Sequence, residues 1–220
     1  RVSLVENGID YATFAGVEKR LVGDAVTGSA GAGAENLVFI GRISRNKRVD
    51  RLLETLALVR RQRPGVSLIV VGPDWEGLRA GLERRALGLG LGDAVKFTGV
   101  LPQDKKLDTL ASASLFVSAS EYEAFGLSTV EAMATGTVPV VSQIPAFEGL
   151  VDDAETGYLT DFSDPGRAAA AVLKALELPP GQLEKMGAAA RQASSRYDWS
   201  GVAEEIIHIY EEVLASHGCR

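Results

Sequence analysis

The stretch "SLFVSASEYEAFGLSTVEAMATGTVPVVS", residues 114–142, changes its hydrophobic period twice. Its ends, "SLFVSAS" (114–120) and "TVPVVS" (137–142), are short apolar runs of the kind that fill a strand buried on both faces. Between them the pattern becomes helical, with a helix expected to begin near Leu127, just after Gly126. Strand, helix, strand is a parallel pair joined by a crossover.

The same unit recurs outward along the chain. "LVFIGRI" (37–43), "VSLIVVG" (66–72) and "VKFTG" (95–99) read as further strands. Val49, Leu52, Leu53, Leu56 and Val59 fall on one face of a 3.6-residue repeat, which predicts a helix closed by the "RPG" at 63–65. "LRAGLERRALGLGLG" (78–92) reads as a helix ending in glycine caps, and a short helix is expected around 105–112. Later helices are predicted over 166–177, 181–195 and 200–215, the last with Val202, Ile206, Tyr210 and Val213 on one face. Crossover helices cover both faces of such a sheet, so the fold class is α/β, a doubly wound parallel sheet of Rossmann-like type. Ligands of such sheets bind beyond the carboxyl ends of the strands, which selects the loops after residues 43, 72, 99 and 120.

The chain of 220 residues suits one sizeable core, and 1–220 reads as a single domain with a closing helix and tail at 200–220. A net charge of −6 argues against a nucleic-acid partner. The single cysteine, Cys219, allows no intrachain disulfide and fits a reducing compartment, hence a cytoplasmic expectation. No apolar run reaches membrane-spanning length. "RVSLVENGID" (1–10) begins mid-pattern, which suggests a fragment or an excised domain. "VGDAVTGSAGAGAENL" (22–37) holds too few correctly spaced glycines for a dinucleotide fingerprint and precedes a strand, so 22–36 is taken as a flexible loop.

Three features carry chemistry. Arg42 and Lys47 lie at the carboxyl end of the 37–43 strand and could clamp a diphosphate; with Arg45 and Arg48 beside them, these residues alone favour a solvated basic turn. Leu127 and Ser128 would offer free N–H groups to an anion at the helix start, and Gly126 would let a phosphate approach. Glu123 on the incoming loop and Glu131, expected in the first helical turn, could accept hydrogen bonds from a sugar diol. Ser128-Thr129-Val130-Glu131 is equally a capping box, in which Glu131 would need no ligand. Spacing alone favours that cap. The chain contains no D-x-D pair; "VDDAE" (151–155) reads as a surface turn, and His208 and His217 as exposed or packing residues.

"SEYEAFGLSTVEAMATGTVPVV" resembles the E-x7-E signature of the retaining glycosyltransferases of the GT-B fold, family four, also called group 1. "VENGID" (5–10), "GRISRNKRVDRLL" (41–53), "LIVVGPD" (68–74), "VKFTGVLP" (95–102) and "YDWSGVAEEIIHIYEEVL" (197–214) resemble other segments of that family in the same order. The resemblance covers nearly the whole chain and implies the C-terminal, donor-binding half of a two-domain enzyme, with the N-terminal acceptor half absent. It implies a nucleoside diphosphate hexose, uridine or guanosine, as donor substrate, with a lean to mannosyl transfer. No separate cofactor and no metal are expected.

By residue, the resemblance implies that Arg42 and Lys47 neutralise the diphosphate, that Glu131 holds the ribose, and that Glu123 faces the transferred sugar in a catalytic role. Backbone groups of Phe125, Gly126, Leu127 and Ser128 would contact sugar and phosphate; Gly72 and Val100 would line the base pocket. Arg48 stands where the family has glycine, which would crowd the phosphate loop, and Ala124 replaces another glycine. Expected partners are the donor and the chain's own acceptor-binding half, with membrane association, polysaccharide and glycolipid acceptors left to sequence outside these residues. A nucleotide-binding module without chemistry and a sugar-nucleotide epimerase of similar fold are the alternatives. Loss of transfer on replacing Glu123, and the absence of an epimer mixture, would separate them.

Overall fold

The computed structural model describes residues 5–17 and 35–216; residues 22–34, His217 and Cys219 lie outside the described residues. In chain order the elements are α1 (Tyr11–Ala15), β1 (Asn36–Ile40), α2 (Val49–Gln62), β2 (Ser67–Val71), α3 (Arg79–Gly88), β3 (Val95–Gly99), α4 (Gln103–Ala111) and β4 (Leu115–Ser118). They continue with α5 (Leu127–Ala134), β5 (Pro139–Ser142), α6 (Pro145–Glu148), β6 (Tyr158–Thr160), α7 (Pro165–Leu176), α8 (Pro180–Ser194) and α9 (Trp199–Ser216). The sheet order is β3-β2-β1-β4-β5-β6, every neighbouring pair parallel. Strand order reverses between β1 and β4, so their carboxyl ends flank the crevice where doubly wound sheets bind ligands.

Alternation along the strands explains the two-sided core. Leu37 and Phe39 of β1 join the α2 stripe and residues of α7 on one face. Val38 points the other way and joins Phe116 of β4, Val130 and Met133 of α5, and Ala190 of α8. All five residues of the α2 stripe are buried, as their spacing predicts.

Two expectations change, at Asn36 and Glu131, and the structure adds to others. Asn36, assigned to the loop by the sequence, opens β1 because Ser67 Oγ donates to its side-chain carbonyl at 2.6 Å and its own N–H donates to Ser114 Oγ. β6 escapes notice because three residues are too short to show a period, and α1 and α6 are too short likewise. In α9 only Val202 is buried; Ile206, Tyr210 and Val213 share a face but are exposed, because the helix leaves the body after its first turn. Glu131 sits in the second turn of α5, not the first, since the helix begins at Leu127 and each turn takes about 3.6 residues.

The root of α9 is tied to the "VENGID" turn. Ile9 N–H donates to Tyr197 O at 2.8 Å, and Trp199 N–H donates back to Ile9 O at 3.0 Å. A Cβ at Gly8 would stand 2.6 Å from the Trp199 ring, so this packing requires glycine. Asp152 to Glu155 are exposed, as a surface turn should be, and His208 is exposed beside Glu212. Among the described residues, no helix is long and apolar enough to cross a membrane.

Candidate active site at the strand-order reversal

The loops after β1 and β2 meet closely. Gly72 has φ +136°, and a Cβ there would lie 2.0 Å from the Gly41 carbonyl oxygen, so glycine is demanded by backbone contact alone. Ile43 N–H donates to Pro73 O at 2.8 Å and Trp75 N–H donates to Ile43 O at 3.1 Å, which seats Trp75 beside Arg42. The Arg42 guanidinium lies 5.1 Å from the centre of the exposed Trp75 ring, an attraction of cation and π face.

Across the crevice, the loop after β1 is joined to the loop after β4. Glu121 N–H donates to Asn46 O at 2.8 Å, and Asn46 Nδ2 donates to Tyr122 O at 3.2 Å. Lys47, at the end of the 3₁₀ turn Arg45–Lys47, donates from Nζ to Glu123 Oε1 at 2.5 Å. Ser120 Oγ donates to the same oxygen at 2.9 Å. The Lys47 and Glu123 side chains are only 13% and 12% exposed, so this pair sits in a setting where charge is weakly screened.

Gly126 is the N-cap of α5 with φ +103°, and a Cβ on it would lie 2.9 Å from the Phe147 ring. Its conformation and its packing against Phe147 and Leu150 account for the glycine without reference to a phosphate. No side-chain cap bond forms, so Ser128 and Glu131 do not make the capping box that their spacing allows. Glu131 instead accepts from Lys106 Nζ of α4 at 2.8 Å, and that ammonium also lies 5.1 Å from the Phe14 ring centre. The N–H groups of Leu127 and Ser128 precede the reach of α5's own carbonyls and face the carboxyl edge of the sheet. Phe125 packs edge-on against Tyr197 with centroids 5.3 Å apart.

Lys47, Glu123, Phe125, Gly126, Leu127 and Ser128 therefore gather at the β1/β4 reversal, and Arg42 and Gly72 flank them on the β2 side. Val100 stands apart, 71% exposed on the loop after β3. Strand spacing of ~4.8 Å puts that loop about 14 Å from β4. Beyond Ser120, a cavity of about 420 Å³ opens at the carboxyl ends of β4, β5 and β6, with Ser120, Glu121, Ser142, Thr160 and Arg51 in its walls.

Comparison with known proteins accords with this geometry. Residues 30–193 match the family model described as glycosyl transferases group 1. The chain belongs to this family. It is 31% identical over 218 residues to GDP-mannose:cellobiosyl-diphosphopolyprenol alpha-mannosyltransferase of Komagataeibacter xylinus, covering 97% of this chain and 52% of that protein. It is 33% identical over 221 residues to D-inositol 3-phosphate glycosyltransferase 2 of Catenulispora acidiphila, covering 97% of this chain and 51% of that protein. The chain thus spans about half the length of these curated relatives. Among solved structures, Anabaena HepE in complex with UDP-glucose superposes with a TM-score of 0.75 at 25% identity, over 82% of this chain and 50% of that one.

In this group 1 chain, Arg48 does not crowd the loop. Its backbone is left-handed, φ 47° and ψ 46°, and its side chain turns to Asp50 and Glu121. Desolvation pushes the Asp50 carboxyl up, but the hydrogen bond and charge of Arg48 outweigh it, and the carboxyl is held below its ordinary range. Sequence reasoning missed Trp75, Lys106 and Glu121. The first lies beside a matched segment and could have been suspected as an exposed aromatic after a strand; the other two carry no local signal.

Proposed function

We propose that this chain is the donor half of a retaining hexosyltransferase. The observation that supports it best is the meeting of Lys47 and Glu123, from separate loops, at the strand-order reversal. The diphosphate of a nucleoside diphosphate hexose lies over the N-terminus of α5 and draws the Lys47 ammonium from Glu123, with Arg42 as the second cation. Glu131 takes the ribose hydroxyls, and the base extends toward Gly72 and Val100. Glu123, freed of Lys47, accepts hydrogen bonds from the hexose, which turns toward the cavity shared with Ser120.

In the transfer step the bond from the anomeric carbon to the diphosphate oxygen breaks, and the electron pair leaves with the diphosphate. Fixed N–H groups and the cations stabilise that growing charge, which is the largest contribution such a site makes. The acceptor hydroxyl forms the new bond on the same face and gives its proton to the departing phosphate. Every charge in this step is met by the chain's own groups, so the reading calls for no metal. The mannosyl relative favours GDP-mannose as donor, while the HepE complex keeps UDP-hexoses in play. The acceptor would be held by a second half, without which this chain binds donor but transfers poorly. We place its work in the cytoplasm, where a chain with a single cysteine is at home.

Calorimetric titration with UDP and GDP tests the reading. One of the two should saturate below millimolar concentration. Failure of both to saturate at millimolar concentration overturns it.

A further inference from the structure

Among the described residues, Arg48 and Ala154 are the two non-glycine residues with positive φ. Glycine would hold residue 48 in the left-handed region without a Cβ penalty. The arginine side chain does something that glycine could not. Its Nε and Nη2 donate to the two oxygens of Asp50 at 3.0 and 2.8 Å, a two-pronged grip within the start of α2. Its remaining nitrogen, Nη1, reaches across the crevice and donates to Glu121 Oε1 at 2.5 Å. Arg51 Nη2 donates to the same Glu121 oxygen at 2.8 Å.

These bonds lie next to the reacting groups. Arg48 follows Lys47 directly, and Glu121 precedes Glu123 by two residues. Beside it, the two loops are tied by Glu121 N–H to Asn46 O at 2.8 Å, by Asn46 Nδ2 to Tyr122 O at 3.2 Å and by the Lys47–Glu123 pair itself. A donor that draws Lys47 from Glu123 removes one of those ties at the moment when both groups must hold their places. The Arg48–Glu121 bond does not depend on Lys47 and survives that exchange.

We infer that the Arg48–Glu121 bond, backed by Asp50 and Arg51, is a clasp that positions Lys47 and Glu123 for the nucleoside diphosphate. Arg48 is a positioning residue; it touches neither donor nor reacting atoms. The inference rests on the donor-site reading above. Glu121 is half exposed, and exposed ion pairs contribute little to global stability. The effect therefore belongs in ligand binding rather than in the melting temperature.

The test is calorimetric titration of the protein with GDP and UDP, using wild type, Arg48→Gly, Arg48→Lys, Glu121→Gln and the double variant Arg48→Gly/Glu121→Gln. A residue needed only for its backbone would be best replaced by glycine; a clasp is better served by lysine, which still reaches Glu121. Nucleotide affinity should fall about tenfold for Arg48→Gly and Glu121→Gln, about threefold for Arg48→Lys, and no further in the double variant. Melting temperatures should stay close to wild type, and Glu121→Gln, which keeps backbone and shape, carries the test if Arg48→Gly fails to fold. Wild-type affinity in Arg48→Gly, or additive losses in the double variant, overturns the clasp and leaves the donor site standing. A wild type that binds neither nucleotide overturns the donor site, and the clasp with it.

Discussion

The two acidic residues of the crevice are held in different ways. Glu123 is gripped from the neighbouring loop by Lys47 and from its own loop by Ser120, so its partners come from the two strands at which the sheet reverses. Glu131 is gripped by Lys106, on the helix that carries the chain back across the sheet from β3. In the proposed reading the first pair lies where a diphosphate would intervene, and the second holds the carboxylate that would take the ribose. Two short ion pairs, at 2.5 and 2.8 Å, can thus serve different ends, one exchanged when donor binds and one kept as support.

Substitutions at the two lysines should break this symmetry most strongly. Lys47→Ala should weaken nucleoside diphosphate binding about 100-fold, whereas Lys106→Ala should change it by less than about threefold, both read by calorimetry. Equal losses at the two positions would erase the distinction. Gly126 joins the two regions, and Gly126→Ala meets both a positive φ and the Phe147 ring. It should destabilise the chain by about 2 kcal/mol in chemical denaturation. Glu131→Ala should then raise the donor KM about tenfold with kcat little changed, assayed with the acceptor-binding half present. Glu123→Ala in the same assay should lower kcat, and a loss confined to KM would contradict its place beside the sugar.

The smallest effect concerns the clasp in acid. Asp50 has a folded pKa below its unfolded value of about 3.9, so its stabilisation is present above that value and is lost as pH falls through the lower folded one. Acid melts of wild type should therefore steepen below about pH 4 relative to Asp50→Asn. Parallel curves would show that the pairing with Arg48 adds nothing to stability.

Much of this arrangement was legible before any coordinates. Apolar runs marked five of the strands; the inner ones are covered on both faces and stay apolar, while edge strand β3 carries an exposed Lys96 within its run. The α2 stripe gave its helix and its buried face together. Burial of α9 was not legible, since a helical pattern predicts a face and not what covers it. The site showed the same division. Glu123 and the α5 start lie in one contiguous motif and Lys47 in another, and resemblance rather than spacing gave them roles; the alternative of a capping box could be dismissed only by the geometry at Gly126. Glu121 and Arg48 are 73 residues apart, and Lys106 and Glu131 are 25 apart, so no local spacing announces either pair. Close packing by itself accounts for glycine at 126 and 72, a reason that no sequence spacing shows.

A crystal structure of the protein with bound UDP or GDP tests the central claim most directly. The account predicts diphosphate density between Lys47 Nζ and the N–H groups of Leu127 and Ser128, with the Lys47–Glu123 pair opened. Nucleotide density elsewhere, with that pair intact, would contradict it.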